Sequence, residues 1–587
     1  MGFFLSDLKI KKSKSEDRIA SEYGCKICPL SKIYHKSPKM SPLGSETPLL
    51  YFLGESPGKN EDSQGKQFVG DAGDRLRQDL YKVIDKDFDE ECIRWSNLIR
   101  CRPYEGNKNR TPIKFEIDCC KSLTIKDIER TKPLVVVGFG GVPLKTFLNG
   151  DRLRLWSNRL VPVKIGNHKC WYFVSYHPSF LIRNTKPYKT EYDKTFLKGL
   201  ETVVDFVLNR YEEPEIIDSE DKEGITIVKG QSKEDLKTIE NHLQRFKDSD
   251  KITIDVETTA LRPFNKEGKL ISIAIGNYED VIAFPIDHPK TWNFDRENSL
   301  KSVKEILYNF LSNKNCTKIA HNLKFELEWL YNYFDNDKKF MFENSFGDTM
   351  AQAYLLDERT SKEEGMLSLD TLTWLNFGFN LKEKSTVDTK NILKSPLEEL
   401  LTYNAMDTKF TYKLFEKQEK RLDNTLKICY NDIIKTARTL TLTQAQGIYT
   451  DDKVIDAFTQ EYSGKLENLN TLISNLDEIK TYKKAKGEFN PLSQLQVVIV
   501  LRDILKIPKV KGTSKNEEEG YSTSDKILES LRDEGIKLAG YILEYRSVNK
   551  LLSTYILNAK ELAIEGILYP NFNLFFTGTG RLSSGRE

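Results

Sequence analysis

No run of about 18 apolar residues occurs anywhere in the 587-residue chain, so the sequence holds no candidate membrane-spanning helix. The opening, MGFFLSDLKIKKSKSEDR, sets its apolar residues ahead of its lysines, the reverse of a secretory signal. Its match to the Met-Gly-x-x-x-Ser acylation pattern rests on very few fixed positions and carries little weight. A global field of one sign is missing too. Lys and Arg number 89 against 87 Asp and Glu, a net charge of +2, so nucleic-acid binding has to come from local patches. Internal repeats and low-complexity tracts are absent. The tract VVVGFGGVP lacks G-x-G-x-x-G spacing and reads as a strand-to-helix turn rather than a nucleotide loop.

Hydrophobic residues make up 39% and aromatics 11%, enough for several buried cores, and charged residues make up 30%. At roughly 150 residues per domain the length suggests about four domains, or three larger ones. Nine cysteines without a secretory signal imply a reducing compartment, where they serve as thiols or metal ligands.

Residues 1–211 alternate strand-like runs (PLLYFLG, PLVVVGFG, CWYFVSYHP) with amphipathic stretches, an α/β pattern. In EEPEIIDSEDKEG, residues 212–224, acidic side chains predominate, and the stretch reads as a solvated linker. Residues 225–425 open with three strand candidates, KITIDVETT, KLISIAIGN and DVIAFPID, and continue in helical segments. Residues 426–587 are almost wholly helical in pattern. The expected fold class is therefore α/β multidomain, ending in a mostly helical unit.

Two constellations carry chemistry. The first is Cys25-x-x-Cys28 with Cys101 and the adjacent Cys119 and Cys120. Such thiolates suit an iron–sulfur cluster or tetrahedral zinc, and spacing alone does not choose. GESPGKNEDSQGKQFVGDAG follows a strand, then come NLIRCRPYEGNKNRTP and YHPSFLIR. Together with the cysteines, this ordered series resembles the family 4 uracil-DNA glycosylases, which carry a 4Fe-4S cluster. The likeness covers roughly residues 20–185. It implies an α/β/α fold in which Cys25, Cys28, Cys101 and one of the adjacent pair hold the cluster. The register from NRTP and Glu116 falls on Cys120, with Cys119 as runner-up. It further implies that Asn97 reads the base edge, Phe68 stacks on the base, Glu55 handles the water and His177 faces the base oxygen. The chemistry is apt. A flipped base needs a pocket, an amide offers both donor and acceptor, and a histidine can stabilise charge developing on the departing base. Two departures bear on activity: Ser56 stands where the family has alanine, and extra residues precede NRTP.

The second constellation is acidic. In TIDVETT, Asp255 and Glu257 share one face of a strand, because side chains alternate with period two. AHNLKFELEWL sets Glu326 four residues after Asn322, and YNAMDTKFTYKLF sets Tyr403 one helical turn before Asp407. Carboxylates gathered from distant segments suit two divalent ions about 4 Å apart, and oxygen ligands favour Mg2+ or Mn2+. This series, with FGDTMAQAYLLD and LSLDTLTWL, resembles the proofreading 3′–5′ exonucleases of the DnaQ-like superfamily, with their ribonuclease H-like fold, in the form carried by family A DNA polymerases. The likeness implies that Asp255, Glu257, Glu326 and Asp407 hold the ions, that Asn322 lies at the substrate and that Tyr403 orients the water. Glu326 stands where the bacterial enzymes have aspartate.

Beyond residue 426, GIYTD, FNPLSQLQVVIVLRDILKIP, YSTSDKILESL, ILEYRSVNKLLSTY and TGTGRLSS occur in the order found in the thumb region of family A polymerases. That resemblance places Arg546, Lys550, Ser553 and Thr554 toward the duplex backbone and Arg581 toward the primer–template. Phosphate contacts of this kind fix position rather than sequence. The palm aspartate that follows in the family is not reached. The expectation is the N-terminal part of a phage-type replication polymerase, acting in the cytoplasm of a bacterial host, its other half spliced, separately encoded or simply missing from a truncated sequence. Its partner is DNA: primer–template, single-stranded 3′ ends and uracil-containing strands. Such a chain is expected to degrade 3′ ends and not to extend a primer. The alternative is a free-standing repair nuclease whose glycosylase-like domain only binds DNA or a modified base.

Overall fold

The computed structural model describes residues 20, 24–183, 189–217, 222–264, 267–357, 365–381, 385–507, 523–577 and 579–585. The acylation-like opening lies outside them. Among the described residues no helix is long and apolar enough to cross a membrane.

The first unit is built on a six-stranded sheet: β1 (Leu43–Gly44), β2 (Leu50–Gly54), β3 (Ile93–Asn97), β4 (Val135–Phe139), β5 (Leu160–Ile165) and β6 (His168–Ser175). Their spatial order is β1-β3-β2-β4-β6-β5. Strands β3, β2, β4 and β6 run parallel. That explains why LLYFL and VVVGF read as unbroken apolar runs: helices cover both faces, so neither parity can be polar. Helices α1 (Lys114–Thr131) and α2 (Gly141–Leu148) belong to this unit, and VVVGFGGVP is the turn from β4 into α2.

The second sheet holds β7 (Ile225–Ile227), β8 (Lys251–Thr258), β9 (Leu270–Gly276), β10 (Val281–Pro285), β11 (Thr317–Ala320) and β12 (Ser345–Asp348). Its order is β12-β11-β8-β9-β10-β7. The three expected strands are β8, β9 and β10, paired antiparallel. Strands β7, β11 and β12 were not evident in the sequence. They span three or four residues each, too short to display a period. Helices α3 (Leu323–Tyr333), α4 (Thr349–Leu356), α5 (Leu369–Phe377), α6 (Leu397–Glu419) and α7 (Asn424–Gln446) surround this sheet. Its core extends to Tyr430 and Ile434 of α7 and to Phe575 near the chain's end.

The last unit has its own core, including Ile473, Leu501, Leu528, Leu538 and Ile542. Its long helix runs from α8 (Lys537–Lys550) through a π-helical turn at Leu551–Ile556. The segment after it returns to the second unit. Arg262 donates to the carbonyls of Tyr569 and Pro570 at 3.0 and 2.9 Å, and Phe264 stacks on Tyr569 with ring centroids 4.2 Å apart. Lys324 bonds Asn571 at 3.1 Å.

The acidic stretch 212–224 is docked rather than freely solvated in its described part. Glu215 pairs with Lys413 at 2.7 Å and Lys417 at 3.8 Å on α6, and the Glu223 carbonyl accepts from Lys409 at 2.8 Å. Composition suggested a solvated run because its partners, three lysines spaced one turn apart on α6, lie far along the chain. The first two units also meet directly. Trp156 packs edge-on against Trp374 at 5.4 Å, and Arg159 pairs with Asp357 at 2.8 Å. Trp156 is 6% exposed, so Trp156→Ala is expected to cost about 3–5 kcal/mol. Urea denaturation of the full chain measures this, and an unchanged midpoint would show that the tryptophan pair does not hold the two units together.

Candidate functional site

The acidic site assembles where α6 crosses β8 and β9. Asp255 and Glu257 project from one face of β8, and one oxygen of each lies within 4.8 Å of an oxygen of Asp407. Three carboxylates this close repel one another unless a cation joins them. Glu326 enters from the first turn of α3 and is 3% exposed. Burial, and then the charges of Asp255, Asp348 and Glu257, push its carboxyl well above the usual carboxylate range. Its Oε2 has no hydrogen-bond partner among the described residues. An orphaned buried oxygen beside three converging acids fits a divalent cation, although Glu326 is not itself within the close triad. Tyr403 lies one turn before Asp407. Burial, then Asp407, Glu257 and Asp255, hold its phenol protonated. Asn322 takes the left-handed backbone at the N-cap of α3, φ +69°. Asp348 fixes that corner, accepting from the backbone N–H groups of Asn322 at 3.0 Å, Leu323 at 3.1 Å and Met350 at 2.8 Å.

The second site lies at the carboxyl end of the first parallel sheet, in a pocket of about 240 Å³. Phe68, Asn97 and His177 all line it, with Ser56, Glu61 and Asn109. Phe68 adopts φ +54° and packs edge-on against Trp95 at 5.2 Å. Asn97 donates to Gln67 Oε1 at 2.6 Å. Gly54 is required here, because a Cβ would lie 2.2 Å from Asn97 Oδ1. His177 Nδ1 accepts the backbone N–H of Ser179 at 3.2 Å, so a neutral ring carries its proton on Nε2. Burial, and then Arg183, lower its pKa to about 4. Glu55 is not among the pocket-lining residues; it sits beside Ser56, its carboxyl raised by burial and opposed by Arg183.

Glu61 was not singled out from the sequence. Its carboxylate accepts from the backbone N–H groups of Gly58 and Phe68, the latter at 2.6 Å, and so closes the loop beneath the pocket. Asn109 was missed as well; Arg102 Nε binds its Oδ1 at 2.6 Å. The tract GESPGKNE signals a glycine-rich loop, but nothing local reveals that its second glutamate turns inward.

Cys25, Cys28, Cys101, Cys119 and Cys120 line one cavity of about 410 Å³. The backbone N–H of Lys39 points at Cys101 Sγ, and that of Arg100 at Cys120 Sγ, each at 3.3 Å. Burial raises both Cys119 and Cys120 to about 12. Both members of the adjacent pair face the cavity, so the structure leaves either able to serve. Thiols lining one cavity, with N–H groups aimed at sulfur, fit a thiolate-bound cluster or metal.

In the last unit Lys550, Ser553, Thr554 and Arg581 are exposed. Arg546 is turned inward, donating to the Thr523 carbonyl at 2.7 Å.

Comparison with known proteins agrees with this three-part layout. Residues 41–201 match the model of the uracil DNA glycosylase superfamily. Residues 231–423 match that of a 3′-5′ exonuclease, and residues 458–586 that of DNA polymerase family A. The chain is 27% identical to DNA polymerase I of Chloroflexus aurantiacus over 368 residues, 61% of this chain and 36% of that one. It is 29% identical to the type-4 uracil-DNA glycosylase of Thermotoga maritima over 184 residues, 31% of this chain and 89% of that one. It is 23% identical to the DNA polymerase of Bacillus phage SP01 over 606 residues, 92% of this chain and 62% of that one. The chain thus spans about a third of the first polymerase's length and under two thirds of the phage polymerase's.

Neutral His177 generates a pH prediction. Its folded pKa of about 4 lies below the usual value, so the unfolded chain takes up the proton first. Stability then falls as pH drops from about 6.5 toward about 4. His177→Gln is expected to flatten this part of the curve in urea denaturation between about pH 7 and about pH 4.5; an unchanged slope would contradict the neutral assignment.

Proposed function

We propose, on the premise that this chain joins a uracil DNA glycosylase superfamily segment, a 3′-5′ exonuclease segment and a DNA polymerase family A segment, that it serves DNA replication as the proofreading portion of a DNA-directed DNA polymerase. The observation that carries the reading is the convergence of Asp255, Glu257 and Asp407 oxygens, with buried Glu326 and Tyr403 beside them. These four acids would hold two Mg2+ or Mn2+ ions, which when bound supply an activated water and stabilise the leaving oxygen. Tyr403 stays protonated and can donate to and orient that water. Asn322, at the mouth of α3, lies toward the 3′ nucleotide. Exposed Lys550, Ser553, Thr554 and Arg581 suit backbone contacts with primer–template. Arg546 contributes by ordering the thumb helix against Thr523 rather than by meeting phosphate.

The glycosylase-like pocket suits an extruded uracil. Phe68 offers the stacking face, Asn97 the paired donor and acceptor, and His177 Nε2–H a donor for the base oxygen where negative charge develops. Glu55, its carboxyl raised by burial and opposed by Arg183, positions water from outside the pocket wall. Cys25, Cys28, Cys101 and Cys120, or Cys119 in its place, would hold a 4Fe-4S cluster that ties the chain's start to α1. The phage relative supports a role in the cytoplasm of an infected bacterium.

With Mg2+, the purified chain is expected to release mononucleotides from DNA 3′ ends, and Asp255→Ala to slow this roughly a thousandfold; unchanged activity in the variant would refute the site. The protein as isolated is expected to be brown and to contain iron and acid-labile sulfide, lost in a Cys25→Ser/Cys28→Ser variant. A colourless protein holding zinc would refute the cluster. Uracil release from a uracil-containing oligonucleotide, abolished in His177→Ala, tests the glycosylase pocket. Binding without release would make that pocket a recognition module.

A further inference from the structure

Helix α6 carries Asn404 immediately after Tyr403. This side chain is fully buried, and both ends of its amide are engaged. Nδ2 donates to Asp255 Oδ2 at 2.6 Å and to the Asp255 carbonyl at 3.1 Å. Oδ1 accepts from the Ser272 hydroxyl at 3.0 Å. Ser272 sits on β9 directly opposite Glu257 of β8. One amide therefore spans the helix that bears Asp407 and the two strands behind Asp255 and Glu257.

A residue that only filled this space would be cheaper as leucine, since a buried amide must find partners for donor and acceptor alike. Here the partners are chosen. The donor side goes to the carboxylate that must be brought within reach of two like-charged groups, and the acceptor side is locked by a serine whose hydroxyl points at it. Fixing Oδ2 sets the plane of the Asp255 carboxylate, and with it the direction its oxygens present to a shared cation. A hydrogen bond to an ionised group is also the stronger kind.

We infer that Asn404, anchored by Ser272, is the positioning residue for Asp255. It holds that carboxylate in the orientation that binds divalent metal together with Glu257 and Asp407. This rests on the metal-dependent nuclease reading above and deepens it.

The test is Mn2+ titration of the full chain, following free Mn2+ by electron paramagnetic resonance, with 3′-end hydrolysis measured across Mn2+ concentrations. Asn404→Leu keeps the volume and removes the amide. It is expected to weaken Mn2+ binding roughly ten- to hundredfold, and saturating Mn2+ is expected to restore most of the turnover number. Asp255→Ala should not be restored. Ser272→Ala, which keeps Asn404 but frees its Oδ1, should weaken binding in the same direction by a smaller factor, and it decides the matter if Asn404→Leu fails to fold. Wild-type Mn2+ affinity in Asn404→Leu, or in Ser272→Ala where that is the variant that folds, would overturn the inference while leaving the nuclease reading intact. If the wild-type chain shows no Mn2+ binding that Asp255→Ala removes, the nuclease reading itself fails.

Discussion

The structure of the acidic site depends on one constraint: carboxylates from separate elements must be held near each other against their mutual repulsion. Packing does this. Helix α6 lies across β8, β9 and β10 through Leu401, Ala405 and Phe410, all fully buried. That packing fixes the backbone of α6 where it presents Asp407 toward Asp255 and Glu257. Helix α3 enters at a fixed angle because Asp348 caps it and α4 with a single carboxylate. Glu326 is thereby buried against its like-charged neighbours. A divalent ion bound there would offset the cost of burying Glu326 among like charges.

The same helix links the site to the rest of the chain. Its first half carries Tyr403, Asn404 and Asp407. Its second half carries Lys409, Lys413 and Lys417, which hold the stretch joining the first two units. At the other side, Lys324, on the helix that bears Glu326, and Arg262, in the turn after the strand that bears Asp255, reach residues 569–571. Buried Glu328 sits between them, 3.4 Å from Arg262 and 3.3 Å from Lys324. Both neighbouring units are therefore braced on the second sheet, which stands between the pocket lined by Phe68, Asn97 and His177 and the last unit with its exposed Lys550 and Arg581.

Much of this was legible in the sequence where chemistry and period coincide. Asp255 and Glu257 show themselves by alternation, Tyr403 and Asp407 by one helical turn, while Phe68, Asn97 and His177 came from the motif resemblance rather than from period. What escaped depends on tertiary register. Asn404 acquires its role only because α6 crosses a strand 149 residues earlier in the chain. Glu61 looks like one more surface acid until the loop folds its carboxylate beneath Phe68. Glu215 belongs to a run whose composition signals solvent, yet its partners lie on α6. Arg546 has the residue type of a phosphate contact, but its guanidinium is spent on a backbone carbonyl. In each case residue type was informative and direction was not, since direction is set by a partner that local sequence does not contain.

The most direct test of the central claim is where divalent ions bind. Crystals of the chain grown with Mn2+ and a short single-stranded oligonucleotide, examined by anomalous scattering, should show manganese between Asp255, Glu257 and Asp407, with Glu326 drawn toward it and the 3′ nucleotide alongside. Manganese absent from that cleft, or bound only elsewhere on the chain, would contradict the account.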